Sequence, residues 1–422
     1  MRHFALATAA LTIVLASPAV AKPTPEEIAA AALEAAPVWD GHNDVPYALR
    51  ERFGNVINDF DFVDTLDTET PETKAMHTDL TRLHKGHLGA QFWSVYVSAS
   101  LPEPEAVQQT IEQIDVTKRL VARYPDAMQL ALTADDVARA LKAHKIASLM
   151  GMEGGQSIGS SLAVLRQMYA LGARYMTLTH SKTLSWADSA TDTPKHGGLT
   201  DFGRDVVREM NRLGMLVDLS HVSEATMHDA LDAAQAPVIF SHSGARAING
   251  HARNVPDSVL ARLPENGGVV MVVALPGFLS EEQRAWFAAR SGEEARLKTL
   301  WQGQPDEVAA QLAKWDATNP TPLATTSQMA DHIDHVRDIA GIDHIGIGGD
   351  YDGMPGGPVG MEDVSGYPVL FAELARRGYS QEDLEKIASR NVMRVLRAAE
   401  AYAASQADAL PIESSAAAEA EE

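Results

Sequence analysis

The stretch WDGHNDVP, residues 39–46, places His42 and Asp44 two positions apart just after an apolar run. Alone, an H-x-D pair suits a solvated strand end as well as half of a metal site. Similar polar residues recur at the ends of other short apolar runs. Glu153 closes IASLMGME (146–153), His180 closes RYMTLTH (174–180) and His221 closes MLVDLSH (215–221). His242 closes APVIFSH (236–242), and Asp350 closes HIGIGGD (344–350). Taken singly, a histidine after a strand is an ordinary hydrogen-bonded loop residue, and a glutamate before two glycines can cap the next helix. Taken together they are a different matter. Ionisable groups packed against one another are costly unless a cation or a partner neutralises them. Carboxylates converging with several imidazoles suit a pair of divalent ions. The chain has no cysteine, so any such ion is held by nitrogen and oxygen; Zn²⁺ fits best, with Mn²⁺ or Co²⁺ as alternatives. Two ions roughly 3.5–4 Å apart need a bridging ligand, which a carboxylate supplies with its two oxygens. Glu153, followed by Gly154 and Gly155, is the natural bridge. His42 and Asp44 then fall to one ion, His221 and His242 to the other, giving two zinc ions per chain.

Far-apart residues meet only if the fold brings the run ends together. Three further apolar runs, APVWD (36–40), AQFWSVYV (90–97) and GGVVMVVAL (267–275), bring the set to eight. Between most of them lie segments of helical spacing. In SLAVLRQMYALGA, Leu162, Leu165 and Met168 share a face before Gly172; TDFGRDVVREMNRLG is opened by Thr200 and Asp201 and closed by Gly214. Continuous apolar strands alternating with helices indicate a parallel sheet covered on both faces. Eight such units predict a (β/α)8 TIM-like barrel, whose eight carboxyl ends share one mouth. A doubly wound sheet is the competitor, but no G-x-G-x-x-G follows the first strand. A charged, helix-forming insertion (280–315) follows the seventh run. A helix over 381–405, with Leu384, Ile387, Val392, Val395 and Leu396 on one side, is expected to close the barrel.

Composition narrows the function classes. The 422-residue chain carries a formal charge of −22, which repels nucleic-acid phosphates and speaks against a nucleic-acid partner. Residues 1–21 read as a signal peptide: Arg2, the apolar FALATAALTIVLA, and the small-x-small AVA at 19–21. The expected organisation is a signal peptide (1–21), a catalytic domain (22–404) and an acidic disordered tail (405–422). A periplasmic or secreted location follows, with no stable membrane insertion after cleavage.

At this point the motifs match a known family. DGHNDVP, GMEGGQSIG, RYMTLTHSKTLSWADS, GGLTDFGRDVVREMNRLGMLVDLSHVSEATM, VIFSHSGAR, RNVPDSVL and GIGGDYDG resemble, in order, those of the membrane (renal) dipeptidase family. These are dinuclear zinc peptidases on a metal-dependent-hydrolase barrel. The resemblance runs from about Val38 to about Ala399 and implies zinc ligands at His42, Asp44, bridging Glu153, His221 and His242. It implies a catalytic acid/base at Asp350 and a substrate-contacting histidine at His180. It also implies that Arg253, which spacing alone does not single out, binds the substrate carboxylate. The expected activity is hydrolysis of dipeptides with a free C-terminal carboxylate, through a hydroxide bridging two zinc ions. The alternatives are another metal-dependent amidohydrolase (lactamase, lactonase or N-acyl deacetylase) and a non-catalytic exported metal-binding protein. Relatives on mammalian cell surfaces carry a lipid-anchor signal and a disulfide link. This chain ends in acid and lacks cysteine, so a homodimer, common among relatives, would form without a covalent link. Trp186 and Asp188 fall where a substrate wall would lie; His84 and His87 read as loop residues.

Overall fold

All eight apolar runs form strands that are buried along their whole length, as strands covered on both faces must be. The computed structural model describes residues 22–70 and 73–416. The strands are β1 (Val38–Asn43), β2 (Leu88–Ser94), β3 (Met128–Leu130), β4 (Ile146–Glu153), β5 (Ala173–Thr177), β6 (Leu216–Asp218), β7 (Ile239–Ser243), β8 (Val269–Val273) and β9 (Ile345–Gly348). Eight of them close a ring in the order β1-β2-β4-β5-β6-β7-β8-β9, each pairing parallel, with the β2–β4 and β1–β9 pairs completing the circle. The fold is the expected (β/α)8 barrel. The unexpected strand is β3, three residues laid against the first part of β4 and too short to leave a period in the sequence.

The helices begin and end where local chemistry dictates. Ser161 accepts from the Val164 amide at the start of helix Leu162–Leu171, and Gly172, at φ 117°, stops it. Thr200 and Gly214 do the same for helix Asp201–Leu213. The barrel interior is filled from below by Trp39, Phe92, Leu149, Tyr175, Leu216, Ile239 and Met271. Val392, Val395 and Leu396, from helix Asn391–Ser405, pack into the same cluster and form its floor. A π-helical turn at Lys386–Arg390 precedes that helix, and Asn391 donates to the Ile342 and Ile345 carbonyls.

Two irregularities shape the mouth. Between Asp40 and Asn43, β1 takes one residue more than β2; between Phe240 and Ser243, β7 takes one more than β8. Such bulges bend a strand and re-aim its side chains. They fall at His42 and His242, so both rings turn into the mouth.

The insertion forms a helical hairpin, Glu281–Leu300 and Pro305–Thr318, directly after β8 and a short helix at Pro276–Leu279. It carries a small core of its own, Leu297, Val308 and Leu312 with Trp301 against them. Of the tail expected to be disordered, Ser405 closes the last helix and Ile412 is tied to Glu209 and Arg166. The Ile412 amide donates to Glu209 Oε2 and its carbonyl accepts from the Arg166 guanidinium. Residues 417–422 and the expected signal peptide lie outside the described residues.

One glycine is a packing requirement. A Cβ on Gly151 would lie 1.9 Å from Cζ of Tyr175, whose ring crosses the barrel interior. Gly151→Ala is therefore expected to cost about 3 kcal/mol, the upper range for overpacking a core. Urea unfolding measures it; an unchanged midpoint would show that the ring has room to move.

Candidate metal centre

The mouth gathers the polar residues that end the strands. Glu153, the last residue of β4, lies at the centre with its side chain only 6% exposed. Its Oε2 is 3.4 Å from His42 Nε2, and its Oε1 is 3.0 Å from His221 Nε2 and 3.4 Å from His242 Nε2. His180 Nε2 stands 3.7 Å from the same Oε1. Asp44 Oδ2 lies 3.3 Å from His42 Nε2. His42, Asp44 and Asp350 offer ligand atoms within 4.8 Å of one another, as do His42, Glu153 and His242, and Glu153, His180 and His221. The structure thus brings together seven of the eight residues singled out as site residues, and Arg253 lines the same cavity.

The donor set fits cations better than it fits hydrogen-bonded pairs. His42 Nε2 is fully buried and has no hydrogen-bond partner among the described residues, although two carboxylates lie within 3.4 Å. His221 and His242 direct their Nε2 atoms at each other across 3.0 Å, an arrangement in which two bare lone pairs repel. Burial holds both imidazoles well below their usual range, so they are neutral. Glu153 is pulled the other way. Burial favours its neutral form, but the imidazoles crowded around it, His42 first, keep it well below the usual carboxylate range. At Asp350, burial, with Asp44 and Glu153 adding to it, pushes the carboxyl up to about 8 against the pull of His42 and Arg253. Neutral imidazoles facing carboxylates in a buried mouth are what N/O-liganded divalent ions require.

The backbone is held out of its easy conformations here. His221 (φ 68°), Asp350 (φ 60°) and Asp352 (φ 64°) occupy the left-handed region, which costs a non-glycine residue free energy and persists only where neighbours enforce it. Asp350 N donates to the His42 carbonyl (3.0 Å), and Ala190 N donates to the His221 carbonyl (2.8 Å).

Comparison with known proteins agrees with the geometry. A family model described as membrane dipeptidase (peptidase family M19) matches residues 26–409. The chain belongs to the membrane dipeptidase family. Dipeptidase tcpJ of Claviceps purpurea (strain 20.1) is 43% identical over 382 residues, covering 88% of this chain and 79% of that protein. Dipeptidase 3 of Rattus norvegicus is 40% identical over 383 residues, covering 90% and 68%. The crystal structure of the probable dipeptidase PvdM from Pseudomonas aeruginosa shares the fold, with a TM-score of 0.76 at 24% identity over 90% of this chain and 99% of that one. The protein is a metal-dependent, dipeptide-hydrolysing enzyme.

Beyond the ligand cluster, this dipeptidase has a cavity of about 350 Å³ lined by Tyr47, Tyr96, Leu275, Phe278 and the polar set. Arg253 enters it from the loop after β7. It is 3% exposed, donates weakly to the His242 carbonyl (3.3 Å) and Ser243 Oγ (3.4 Å), and leaves Nε without a partner among the described residues. His251 accepts from the Arg253 amide (3.1 Å) and stacks on Phe278 (4.4 Å), so it positions the arginine. A larger cavity, about 850 Å³, lies at the opposite end of the strands; it includes His84, His87 and His144. No group of metal-ligating residues meets there among the described residues. His77 is paired with Asp352 through backbone and side chain.

Other residues were placed wrongly or missed. Trp186 and Asp188 form no substrate wall: both are fully buried. Trp186 packs on Phe202, and Asp188 accepts from the Lys195 (2.7 Å) and Gly198 (3.1 Å) amides, organising the loop from within. Tyr175 sits inside a buried strand with nothing in its sequence setting to mark it, yet its hydroxyl meets His42 Nδ1 at 2.8 Å and Gly41 O at 3.3 Å. His332, from helix Thr326–Ala340, bonds the Ala245 amide (2.8 Å) and the Leu279 carbonyl (3.1 Å), tying together the loops that flank the cavity.

That clamp has a pH signature. Burial lowers His332 from 6.5 to about 4. As pH falls below 6.5 the unfolded chain takes up a proton that the folded one refuses, and stability drops until about pH 4, by about 3 kcal/mol from this group. His332→Asn is expected to be less stable at pH 7 yet to lose less between pH 6.5 and 4. Denaturant titrations at both pH values measure this; equal acid losses would remove the clamp role.

Proposed function

We propose that the protein hydrolyses dipeptides carrying a free C-terminal carboxylate, with a pair of zinc ions that His42, Asp44, His221, His242 and the shared carboxylate of Glu153 would hold. The observation that carries this reading is the divided orientation of the Glu153 carboxylate, with Oε2 towards His42 and Oε1 towards His221 and His242. When bound, the metal pair supplies Lewis-acid charge and a water acidified into the neutral range. The chain's own residues do the rest. Asp350, beside His42 and Asp44, would be ionised with divalent charge bound next to it, and takes a proton from the attacking water and returns it to the leaving amine, as general base and then general acid. His180, at the lip with Tyr96 packed on its ring at 4.7 Å, faces the scissile carbonyl and stabilises charge developing on its oxygen. Arg253 receives the terminal carboxylate in a two-pronged pair that a lysine cannot reproduce. Its unpartnered Nε supports that role. Fixing the chain end one residue from the bond selects short substrates, as does a cavity of about 350 Å³.

Export is part of the same proposal, resting on Arg2 and the apolar leader. No helix among the described residues is long and apolar enough to cross a membrane. N-terminal sequencing of the mature protein is expected to begin at Lys22.

Asp350→Asn is expected to retain two metal equivalents by elemental analysis while kcat falls by about 10²–10⁴, the range for losing a general acid–base. Unchanged turnover would remove Asp350 from proton transfer. Arg253→Ala is expected to lower kcat/KM for free dipeptides by about two orders of magnitude, chiefly through KM, with little effect on C-terminally amidated ones. Equal losses on both would show that the carboxylate contact is wrong.

A further inference from the structure

Below the ligand cluster lies a buried carboxylate that the proposed chemistry does not use. Asp218, the last residue of β6, is wholly buried and ion-paired with no cationic side chain among the described residues. Four donors converge on it. Oδ1 accepts from the Ser241 amide (2.8 Å) and the Ser220 amide (3.1 Å). Oδ2 accepts from Ser241 Oγ (2.6 Å) and Thr177 Oγ1 (2.5 Å). These partners sit on three neighbouring strand ends, β5, β6 and β7. The same ends lead into His180, His221 and His242.

The direction of these bonds determines something further along. A carboxylate only accepts, so Ser241 gives Asp218 its single hydroxyl hydrogen. Ser241 Oγ also lies 2.8 Å from Nδ1 of His242. With its hydrogen committed, Ser241 can only accept there, and His242 must carry its proton on Nδ1. The lone pair on Nε2 is then bare and directed at Glu153 Oε1 and the neighbouring His221. We infer that Asp218 is a positioning residue of the metal centre, selecting through Ser241 the His242 tautomer that can bind a metal ion.

This inference rests on His242 being a ligand, and the test separates the two. The decisive variant is Asp218→Asn, which keeps the shape. Its amide oxygen must stay on the two backbone N–H groups, so its NH₂ replaces Oδ2 and donates to Ser241. The serine hydrogen is thereby released towards His242 Nδ1, which becomes an acceptor, and the imidazole proton moves to Nε2. Thr177→Val removes the other hydroxyl from Oδ2 without touching Ser241 and serves as the structural control.

Two measurements are made on full-length protein. Long-range proton–nitrogen correlation spectra of metal-free protein labelled with ¹⁵N-histidine report the tautomer, with the His242 signal assigned by its absence in His242→Ala. Competition with a chromophoric chelator reports zinc affinity. In wild type and Thr177→Val the His242 proton is expected on Nδ1, with equal zinc affinity. In Asp218→Asn it is expected on Nε2, with zinc held about 10–100-fold more weakly, the range for losing a partner behind a metal-bound histidine. Should Asp218→Asn not fold, Ser241→Ala decides: His242 loses its enforced Nδ1 proton and zinc affinity falls by at least about tenfold. An Nδ1 proton and wild-type affinity in the folded variant overturn the inference. If His242→Ala itself keeps both zinc equivalents, the ligand assignment has failed instead.

Discussion

Everything at the mouth depends on crowding several imidazoles around one buried carboxylate. Glu153 has four histidines within 3.7 Å, a density of ionisable groups that no apolar core tolerates without positive charge among them. Without a metal ion that charge can come only from protons, and His42 shows it: burial disfavours its charged form, yet Tyr175, Glu153 and Asp44 raise it well above the usual histidine range. The barrel is the scaffold able to enforce such crowding. Its strands are locked on both edges, and its interior below the cluster is filled by Tyr175, Phe92 and Met271, with a helix as the floor. The ligands therefore cannot relax away from one another.

The cost of that arrangement is spread over the strand ends. Bulges in β1 and β7 turn His42 and His242 inward, and left-handed backbone at His221 and Asp350 lifts their side chains over the rim. These departures fall at the strand ends of the candidate metal centre, where the Asp350 amide donates to the His42 carbonyl and the Ala190 amide to the His221 carbonyl. The apolar packing lies below and these polar strand ends above, so the barrel's stability and its candidate site are built from successive stretches of the same strands.

The eight barrel strands were legible because each is a continuous apolar run, and the site because six of those runs lead into His, Asp or Glu at their ends. β3 was not, being three residues with no period of its own. Register is decided between strands, so the bulges left no local trace. Tyr175, Asp218 and Ser241 were invisible for a related reason: a polar residue inside a buried strand reads like any other until its partners are known. Asp188 shows the opposite error, a conspicuous acid in a promising loop that turns inward to collect backbone N–H groups. Arg253 stood out only by its motif, since an arginine before a turn carries no periodic signal.

The hairpin at residues 281–318 stands apart from this economy. Its helices hold each other through Trp286 on Trp315 and Arg290 on Asp316, besides their own small apolar cluster, and Phe287 approaches Gly277 next to the cavity-lining Phe278. A unit that settles its own packing while leaning on the rim of a catalytic mouth can diverge without disturbing the ring of strands beneath it. Its length and shape are thereby decoupled from those of the barrel, at a position that overlooks the cavity.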